Sequence, residues 1–396
     1  MYRLLLIKRC IEDILISPFI LLGRAIAILK PLKNKYRIFF FFPFYHTGGA
    51  EKVHAQIAQA TGGSDCIIFF TKKSVDERFL DEFKKSGCVI KDISKNTDNK
   101  FFYAWNLMYR GIITGYINSQ KNKPVVFNGQ CNFGYKISPW IKKSIKQIEL
   151  IHSLNTFSYI RIPFLPFINR TIMISKKRIE DHKELYRKYK IPESYLIRVT
   201  YIANAINLPV SYSGKNKIEF KVLNVGRSTP DKRVGLFIKI AEKLQRENKN
   251  IQFEIIGDVT SAIASIDYPY IKFHGSLSDE NKINSIYSSA QVLLLTSSSE
   301  GFPLVIMEAM ANGCAILATP VGDIPFHVQN DVNGFLFSSV EKEEIIINEA
   351  KEKIYLLNNH YDQFDKISAN NISYANHNFG IERFNKDYQQ LFESIK

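Results

Sequence analysis

Short apolar runs that alternate with amphipathic stretches fill this sequence from Arg37 onward. The short runs predict buried strands, and the stretches between them, whose apolar residues recur at helical spacing, predict helices. Strands that alternate with helices are typical of parallel sheets, because two parallel strands must be joined by a long crossover connection. The pattern therefore predicts an α/β protein built from doubly wound parallel sheets.

The predicted strands form two groups, one in each half of the chain. The first group comprises residues 38–42, 66–71, 125–128, 148–152 and 171–175, and the second comprises 221–225, 252–256, 271–274, 291–296 and 315–318. Helices are predicted between them, for example over 51–59 and 76–85. Because a chain of 396 residues suits two domains, we expect two Rossmann-like domains that face each other across a cleft.

Turn-forming residues cluster between 204 and 217, where Asn, Pro, Ser and Gly interrupt the periodic pattern. We therefore expect residues 1–205 to form the first domain, 206–375 the second, and 376–396 a C-terminal helix that packs back on the first domain. Ligands of open parallel sheets bind beyond the carboxyl ends of the strands. The loops that follow the predicted strands, at the cleft between the domains, are thus the expected site.

Positive charge is concentrated in the first half of the chain. Residues 1–200 contain 34 Lys or Arg and 15 Asp or Glu, whereas residues 201–396 contain 19 and 23. The first half therefore carries a net charge of +19 and the second −4. This asymmetry suggests that the first half faces a polyanion, which could be a nucleic acid, an anionic lipid or a phosphorylated substrate.

Two apolar segments of the first half bear on a membrane. Residues 14–23 are the longest charge-free run near the start, and ten residues are too few for a spanning helix, which needs about 20. The flanking basic residues predict either an interfacial helix on anionic lipid or a helix that covers the sheet. The second segment, 155–170, is rich in aromatic and aliphatic residues, and we expect it to form a membrane-facing surface beside the cleft, with a core-packing loop as the alternative.

The cysteines and histidines predict no metal site. The five cysteines are odd in number, scattered and without a CxxC pair, which fits a reducing cytoplasm better than a disulfide framework. The eight histidines include no HExxH motif. We expect no metal and no cofactor held by the protein.

Basic residues follow the first predicted strand of the second half. Gly226-Arg227 and, five residues on, Lys232 lie in a strand-to-helix loop. A guanidinium and an ammonium group in such a loop can together neutralise a diphosphate. A solvated basic loop is the alternative interpretation.

Two glutamates flank another predicted helix start. Glu300 ends the loop after strand 291–296, and Glu308 follows it inside the helix, so both can face one ligand at the carboxyl edge of the sheet. The backbone amides of Phe302, Leu304 and Val305 would form an anion site, with Pro303 tolerated in the first turn. Glu308 can accept hydrogen bonds from a ribose diol.

Paired glycines follow the first strand of the chain. Gly48 and Gly49 precede a predicted helix, where they let the backbone approach a phosphate or a sugar hydroxyl closely. The chain contains no GxGxxG, so a nicotinamide or flavin fingerprint is absent.

Together these motifs resemble the retaining glycosyltransferase family 4, which has the GT-B fold, in its bacterial surface-polysaccharide form. The resemblance runs from about Ile38 to the carboxyl end and is strongest from Leu223 to Phe337. It implies catalytic roles for Glu300, His152, Arg227 and Lys232, and donor binding by Gly48, Gly49, Gly226, Arg227, Lys232, Glu300, Phe302, Pro303, Leu304, Val305 and Glu308. One departure is Phe326, which stands where the family often has a glutamate.

The resemblance also implies an activity. A hexosyl or N-acetylhexosaminyl group would pass, with retention and without a metal, from a nucleoside-diphosphate sugar to an acceptor. The expected acceptor is a lipid-linked glycan of polysaccharide or glycolipid biosynthesis. The positive charge of the first half and its two apolar segments further predict that the protein is cytoplasmic and peripheral on the inner face of the cell membrane, on an anionic surface.

Other functions compete with this one. A GT-B-fold nucleotide-sugar epimerase or phosphorylase would share the architecture. A non-enzymatic basic protein that binds membrane or nucleic acid would explain the charge, although the basic residues are spread out and no nucleic-acid-binding module is found. A catalytically silent membrane subunit is the last alternative.

Overall fold

The protein consists of two α/β units. The computed structural model describes residues 1–46, 48–77, 79–98, 103–152, 154, 156–209, 219–247, 250–259, 267–277 and 279–395. Met1–Ala203 and Glu382–Lys396 form the first unit, and Asn204–Ile381 form the second. Residues 210–217 of the predicted boundary, Thr47 before the paired glycines, and Asn155 lie outside the described residues.

The first unit contains a seven-stranded parallel sheet. Its strands are β1 Ile38–Phe42, β2 Cys66–Phe70, β3 Val89–Asp92, β4 Val125–Asn128, β5 Lys146–Ile151, β6 Arg170–Met173 and β7 Val199–Tyr201. Their spatial order is β3-β2-β1-β4-β5-β6-β7, so the order reverses between β1 and β4. The phenylalanines of β1 are fully buried, as expected for a central strand covered on both faces.

The second unit contains a six-stranded parallel sheet. Its strands are β8 Phe220–Val225, β9 Ile251–Ile256, β10 Ile271–Phe273, β11 Val292–Leu295, β12 Ala315–Ala318 and β13 Gly334–Leu336. Their order is β10-β9-β8-β11-β12-β13, which reverses between β8 and β11. Apolar clusters cover both faces of this sheet. The α/β fold class with two Rossmann-like units is therefore confirmed.

Helices connect the strands and cover the sheets. Those of the first unit are α1 Tyr2–Leu29, α2 Gly49–Thr61, α3 Leu80–Lys84, α4 Ser94–Thr97, α5 Tyr103–Asn118, α6 Asn132–Ile137, α7 Thr156–Ile160 and α8 Lys176–Tyr189. Those of the second are α9 Val234–Glu247, α10 Glu280–Ser289, α11 Leu304–Ala311, α12 Ile324–His327, α13 Glu343–Asn359 and α14 Tyr361–Asn378, and α15 Ile381–Ile395 follows.

The C-terminal helix α15 belongs mainly to the first unit. The Phe392 ring lies 6.1 Å from that of Phe40 and 5.8 Å from that of Phe127, between centroids, and Gln389 donates to the carbonyl of Ala60 at 3.0 Å. The sequence assigned residues 376–381 to this returning segment. They belong instead to the second unit, because α14 continues to Asn378.

Helix α1 packs against α5 through small residues. A Cβ atom on Gly111 would lie 2.2 Å from the carbonyl oxygen of Ile20 and 2.9 Å from the Cα of Gly23, and one on Gly115 would lie 2.6 Å from the Cβ of Ala27. Small residues four positions apart, Gly23 and Ala27 on α1 and the two glycines on α5, therefore let the two backbones touch. No helix of the described ranges has the length and hydropathy needed to cross a membrane.

The described side chains of segment 155–170 do not form the aromatic surface that the sequence predicted. Ile162, Phe164 and Leu165 are buried, since a 3₁₀ helix at Ile162–Phe167 turns them into the core. Arg161 anchors the segment, because its buried guanidinium contacts the carboxylate of Glu149 at 3.2 Å. An unpaired buried charge would be costly, so this ion pair holds the segment inward.

The glycine contact between α1 and α5 makes a direct prediction. Gly111→Ala should lower the unfolding temperature, because the added methyl group meets the backbone of α1 and overpacking costs about 1 to 3 kcal/mol. Gly235→Ala on α9 is the matched control, since nothing lies within 4 Å of its added Cβ. Thermal melts of both variants test this, and an unchanged Gly111→Ala melt would contradict the close packing.

Candidate functional site

The loops after β8 and β11 meet at the switch point of the second sheet. The ammonium of Lys232, in the loop after β8, lies 2.5 Å from a carboxylate oxygen of Glu300, in the loop after β11. The hydroxyl of Ser297 donates to the same oxygen at 2.7 Å. Lys232 and Glu300, which the sequence pattern predicted separately, thus meet where open parallel sheets bind ligands.

Glycines allow these loops to pack closely. Gly322, after β12, has φ +59°, and a Cβ there would lie 2.2 Å from the carbonyl oxygen of Gly301 and 2.4 Å from that of Glu300. The amide of Asp323 donates to the same Gly301 carbonyl at 2.7 Å. This contact with the loop after β12 holds the backbone of the Glu300 loop in place.

Helix α11 begins beside this ion pair. Pro303 is its N-cap rather than a residue of its first turn, so the first helical amides are those of Leu304 and Val305. The ring of Phe302 is buried and stacks on that of His327, with 4.0 Å between centroids. Phe302 therefore anchors the loop through its side chain, and the initial amides of α11 form the positive end of a helix.

Glu308 lies on the same helix, at its fifth residue. The hydroxyl of Tyr287 donates to a carboxylate oxygen of Glu308 at 3.1 Å. Burial raises the pKa of Tyr287 well above its usual value, and the charge of Glu308 raises it further. Tyr287 therefore stays a neutral donor and orients the carboxylate.

Gly226 and Arg227 complete this part of the site. A Cβ on Gly226 would approach the side chain of Lys232 at 3.8 Å. The side chain of Arg227 is exposed, and among the described residues it makes no hydrogen bond or ion pair. It is available to an anion. Phe326, which stands where the resembled family often has a glutamate, is exposed on α12.

The predicted residues of the first unit lie beyond the carboxyl ends of its strands β1 and β5. Gly48 is the N-cap of α2, and Gly49 begins this helix directly after the β1 loop. His152 follows β5, where its backbone amide donates to the side chain of Gln130 at 3.1 Å. Its Nε2 lies 2.9 Å from the Nε2 of His54 on α2.

This histidine pair is held neutral by burial. Burial lowers the pKa of His54 well below its usual value, with the neighbouring His152 adding to the effect, and lowers the pKa of His152 to about 4. The buried Nδ1 of His54 has no hydrogen-bond partner among the described residues. Because a buried acceptor tolerates this better than a buried N–H, His54 is best assigned the Nε2–H tautomer that donates to His152.

Sequence reasoning missed four residues that support the predicted ones. His54, Ser297, Tyr287 and Gly322 each contact or position a predicted residue. Ser297 is close in sequence to Glu300 and could have been found, whereas the other three reach the site only through the fold. No group of three or more His, Cys, Asp or Glu side chains within the described ranges could hold a metal ion.

Comparison with known proteins finds a family that matches this part of the chain. Residues 219–351, which include the Lys232–Glu300 ion pair and α11, match the family described as Glycosyl transferases group 1. The resemblance to GT-B glycosyltransferases is therefore confirmed, whereas family 4 and the surface-polysaccharide type stay predictions.

Individual relatives of the chain are also named as glycosyltransferases. The chain is 26% identical over 231 residues to an uncharacterized glycosyltransferase of Methanocaldococcus jannaschii, covering 52% of this chain and 57% of the relative. It is 25% identical over 179 residues to the GtfA subunit of the UDP-N-acetylglucosamine–peptide N-acetylglucosaminyltransferase of Streptococcus pneumoniae, covering 42% and 34%. The chain thus spans little more than half of the first curated relative and about a third of the second.

A solved structure shows the GT-B fold. The Anabaena protein HepE, crystallised with UDP and glucose, superimposes with a TM-score of 0.68 at 16% identity, and the match covers 91% of this chain and 100% of that one.

The histidine pair predicts a pH dependence of stability. A histidine whose pKa is depressed in the folded state makes its full contribution to the free energy of unfolding above its unfolded pKa of about 6.5. This contribution falls as the pH drops toward 4, because the unfolded chain takes up protons first. The unfolding temperature of His54→Gln should therefore fall less between about pH 7 and about pH 5 than that of the wild type. The exposed His377→Gln is the control. An equal loss in wild type and His54→Gln would contradict the buried neutral pair.

Proposed function

We propose that the protein transfers a sugar from a nucleoside-diphosphate sugar to an acceptor hydroxyl. The observation that carries the proposal is the meeting of Lys232, Glu300 and the start of α11 at the switch point of the second sheet. A diphosphate needs cations and backbone amides, and a sugar needs carboxylates that accept from its hydroxyls. Both kinds of group converge there.

Each group has a proposed role. Arg227, Lys232 and the first amides of α11 bind the diphosphate, and Glu308 accepts hydrogen bonds from the ribose diol. Glu300 accepts from the hydroxyls of the transferred sugar. The contact between Lys232 and Glu300 links the two halves of the donor, because the ammonium can bridge the carboxylate and the phosphate.

The proposed reaction breaks the bond between the anomeric carbon and the phosphate oxygen and forms one between that carbon and the acceptor oxygen. The developing negative charge of the departing diphosphate is stabilised by Arg227, Lys232 and the amides, so we propose that no metal is required. Glu300 is engaged by Lys232 and Ser297, and a carboxylate so neutralised is a poor nucleophile. We therefore propose front-face attack with retention, in which the departing phosphate accepts the acceptor's proton.

The first unit is proposed to contribute His152, Gly48 and Gly49. His152 would donate its Nδ1–H to a hydroxyl of the transferred sugar, because His54 occupies its Nε2. The acceptor is proposed to be a lipid-linked glycan of polysaccharide or glycolipid biosynthesis, and the sugar a hexosyl or N-acetylhexosaminyl group. HepE, which was crystallised with UDP and glucose, and GtfA, a subunit of a UDP-N-acetylglucosamine–peptide N-acetylglucosaminyltransferase, support a nucleotide-sugar donor.

The diphosphate role of Arg227 is testable by kinetics. Arg227→Ala should lower kcat/KM for the donor by about 30- to 1000-fold, because a lost charge-assisted contact to the leaving group costs about 2 to 4 kcal/mol. Arg246→Ala, which removes an exposed arginine of α9, is the matched control. The assay follows release of the nucleoside diphosphate, with and without a chelator.

Near-normal turnover of Arg227→Ala would contradict the assignment. Loss of activity in chelator that magnesium restores would contradict the metal-free proposal. Interconversion of the donor sugar in the absence of any acceptor would identify an epimerase instead.

A further inference from the structure

Helix α1 is apolar on two opposite faces. Its inner face, Tyr2, Ile20, Gly23 and Ala27, is buried. Its outer face carries Leu4, Ile7, Ile11, Ile14, Leu22 and Leu29, each between 54% and 80% exposed. These positions repeat at multiples of the helical period and form one stripe about 37 Å long.

The arrangement is the reverse of an ordinary surface helix. Such a helix buries its large apolar side chains and exposes polar ones, because burying a leucine or isoleucine contributes roughly 1.5 to 3 kcal/mol. In α1 the small residues Gly23 and Ala27 lie against α5 beside the buried Ile20, whereas the six large aliphatic residues of the outer face point away from the protein. A helix whose outer face is apolar as well as its inner one calls for an apolar environment on that outer side.

The surrounding charge identifies that environment. Exposed basic residues flank the outer face at both ends: Arg3, Lys8, Lys30, Lys33 and Lys35. The acidic residues of α1 are paired with bases, since Glu12 lies 3.5 Å from Lys136 and Asp13 lies 3.9 Å from Arg9. A second copy of the chain would bring like charges together, whereas anionic lipid headgroups would complement them.

We propose that α1 lies in the plane of an anionic membrane, with its outer face among the acyl chains and its flanking lysines and arginines at the headgroups. The inner face holds α5, so the helix attaches the first unit to the membrane from one side. The proposal stands apart from the nucleotide site. Lipid binding without sugar transfer would contradict the proposed function alone, and sugar transfer without lipid binding would contradict the membrane proposal alone.

The test is flotation of the full chain with phosphatidylcholine vesicles, with and without phosphatidylglycerol. The wild type should float with the anionic vesicles, and the floating fraction should fall at high salt. The triple variant Ile11→Gln, Ile14→Gln and Leu22→Gln should bind at least about tenfold more weakly, because three aliphatic side chains no longer enter the lipid. Glutamine keeps the helix propensity, and equal thermal melts verify folding.

A matched triple variant controls for general loss of surface hydrophobicity. Val75→Gln, Ile197→Gln and Val332→Gln remove exposed aliphatic side chains elsewhere, and this variant should float like the wild type. A wild type that stays unbound, or an α1 variant that floats equally well, would overturn the proposal. Equal flotation with neutral vesicles would contradict the preference for anionic lipid. If the protein forms dimers without lipid and the α1 variant does not, the outer face of α1 binds a second copy of the chain instead.

Discussion

The contact between Lys232 and Glu300 is the interaction on which the functional account depends. It joins loops from two neighbouring strands, β8 and β11, that run in the same direction and end at the same edge of the sheet. Both side chains are largely buried, so their desolvation must be offset by the ion pair and by the hydroxyl of Ser297. The backbone contact at Gly322 holds the Glu300 loop in place, which leaves the ion pair preorganised before a ligand arrives.

Much of the fold could be predicted from the sequence, because central strands of parallel sheets are uninterrupted apolar runs. β1, β4 and β12 have the predicted bounds. The strands β3, β7 and β13 were missed, since β3 and β7 are only partly buried edge strands and β13 is three residues long. Residues of the candidate site were predicted where a short local motif contains them, as for Lys232 in one loop and Glu300 in another. His54 was missed because only the fold brings it to His152, 98 positions away.

The N-terminal region shows a different limit of sequence reasoning. An apolar segment with basic flanks suits both a membrane-surface helix and a helix that covers the protein, and α1 has both a buried apolar face and an exposed one. Spacing could not separate the two interpretations, because the glycines that bring α1 against α5 and the aliphatic residues that point outward lie on the same helix. Segment 155–170 looked equally apolar, yet the buried Arg161–Glu149 pair turns it inward. Apolar composition alone does not distinguish core from membrane surface.

The most direct measurement of the central claim is a crystal structure of the full chain with a nucleoside diphosphate. The account predicts that the diphosphate lies between the ammonium of Lys232 and the amides of Leu304 and Val305, with Arg227 turned toward it and the ribose diol at Glu308. A nucleotide bound elsewhere on the chain, or one bound at this edge that contacts neither Lys232 nor the start of α11, would contradict it.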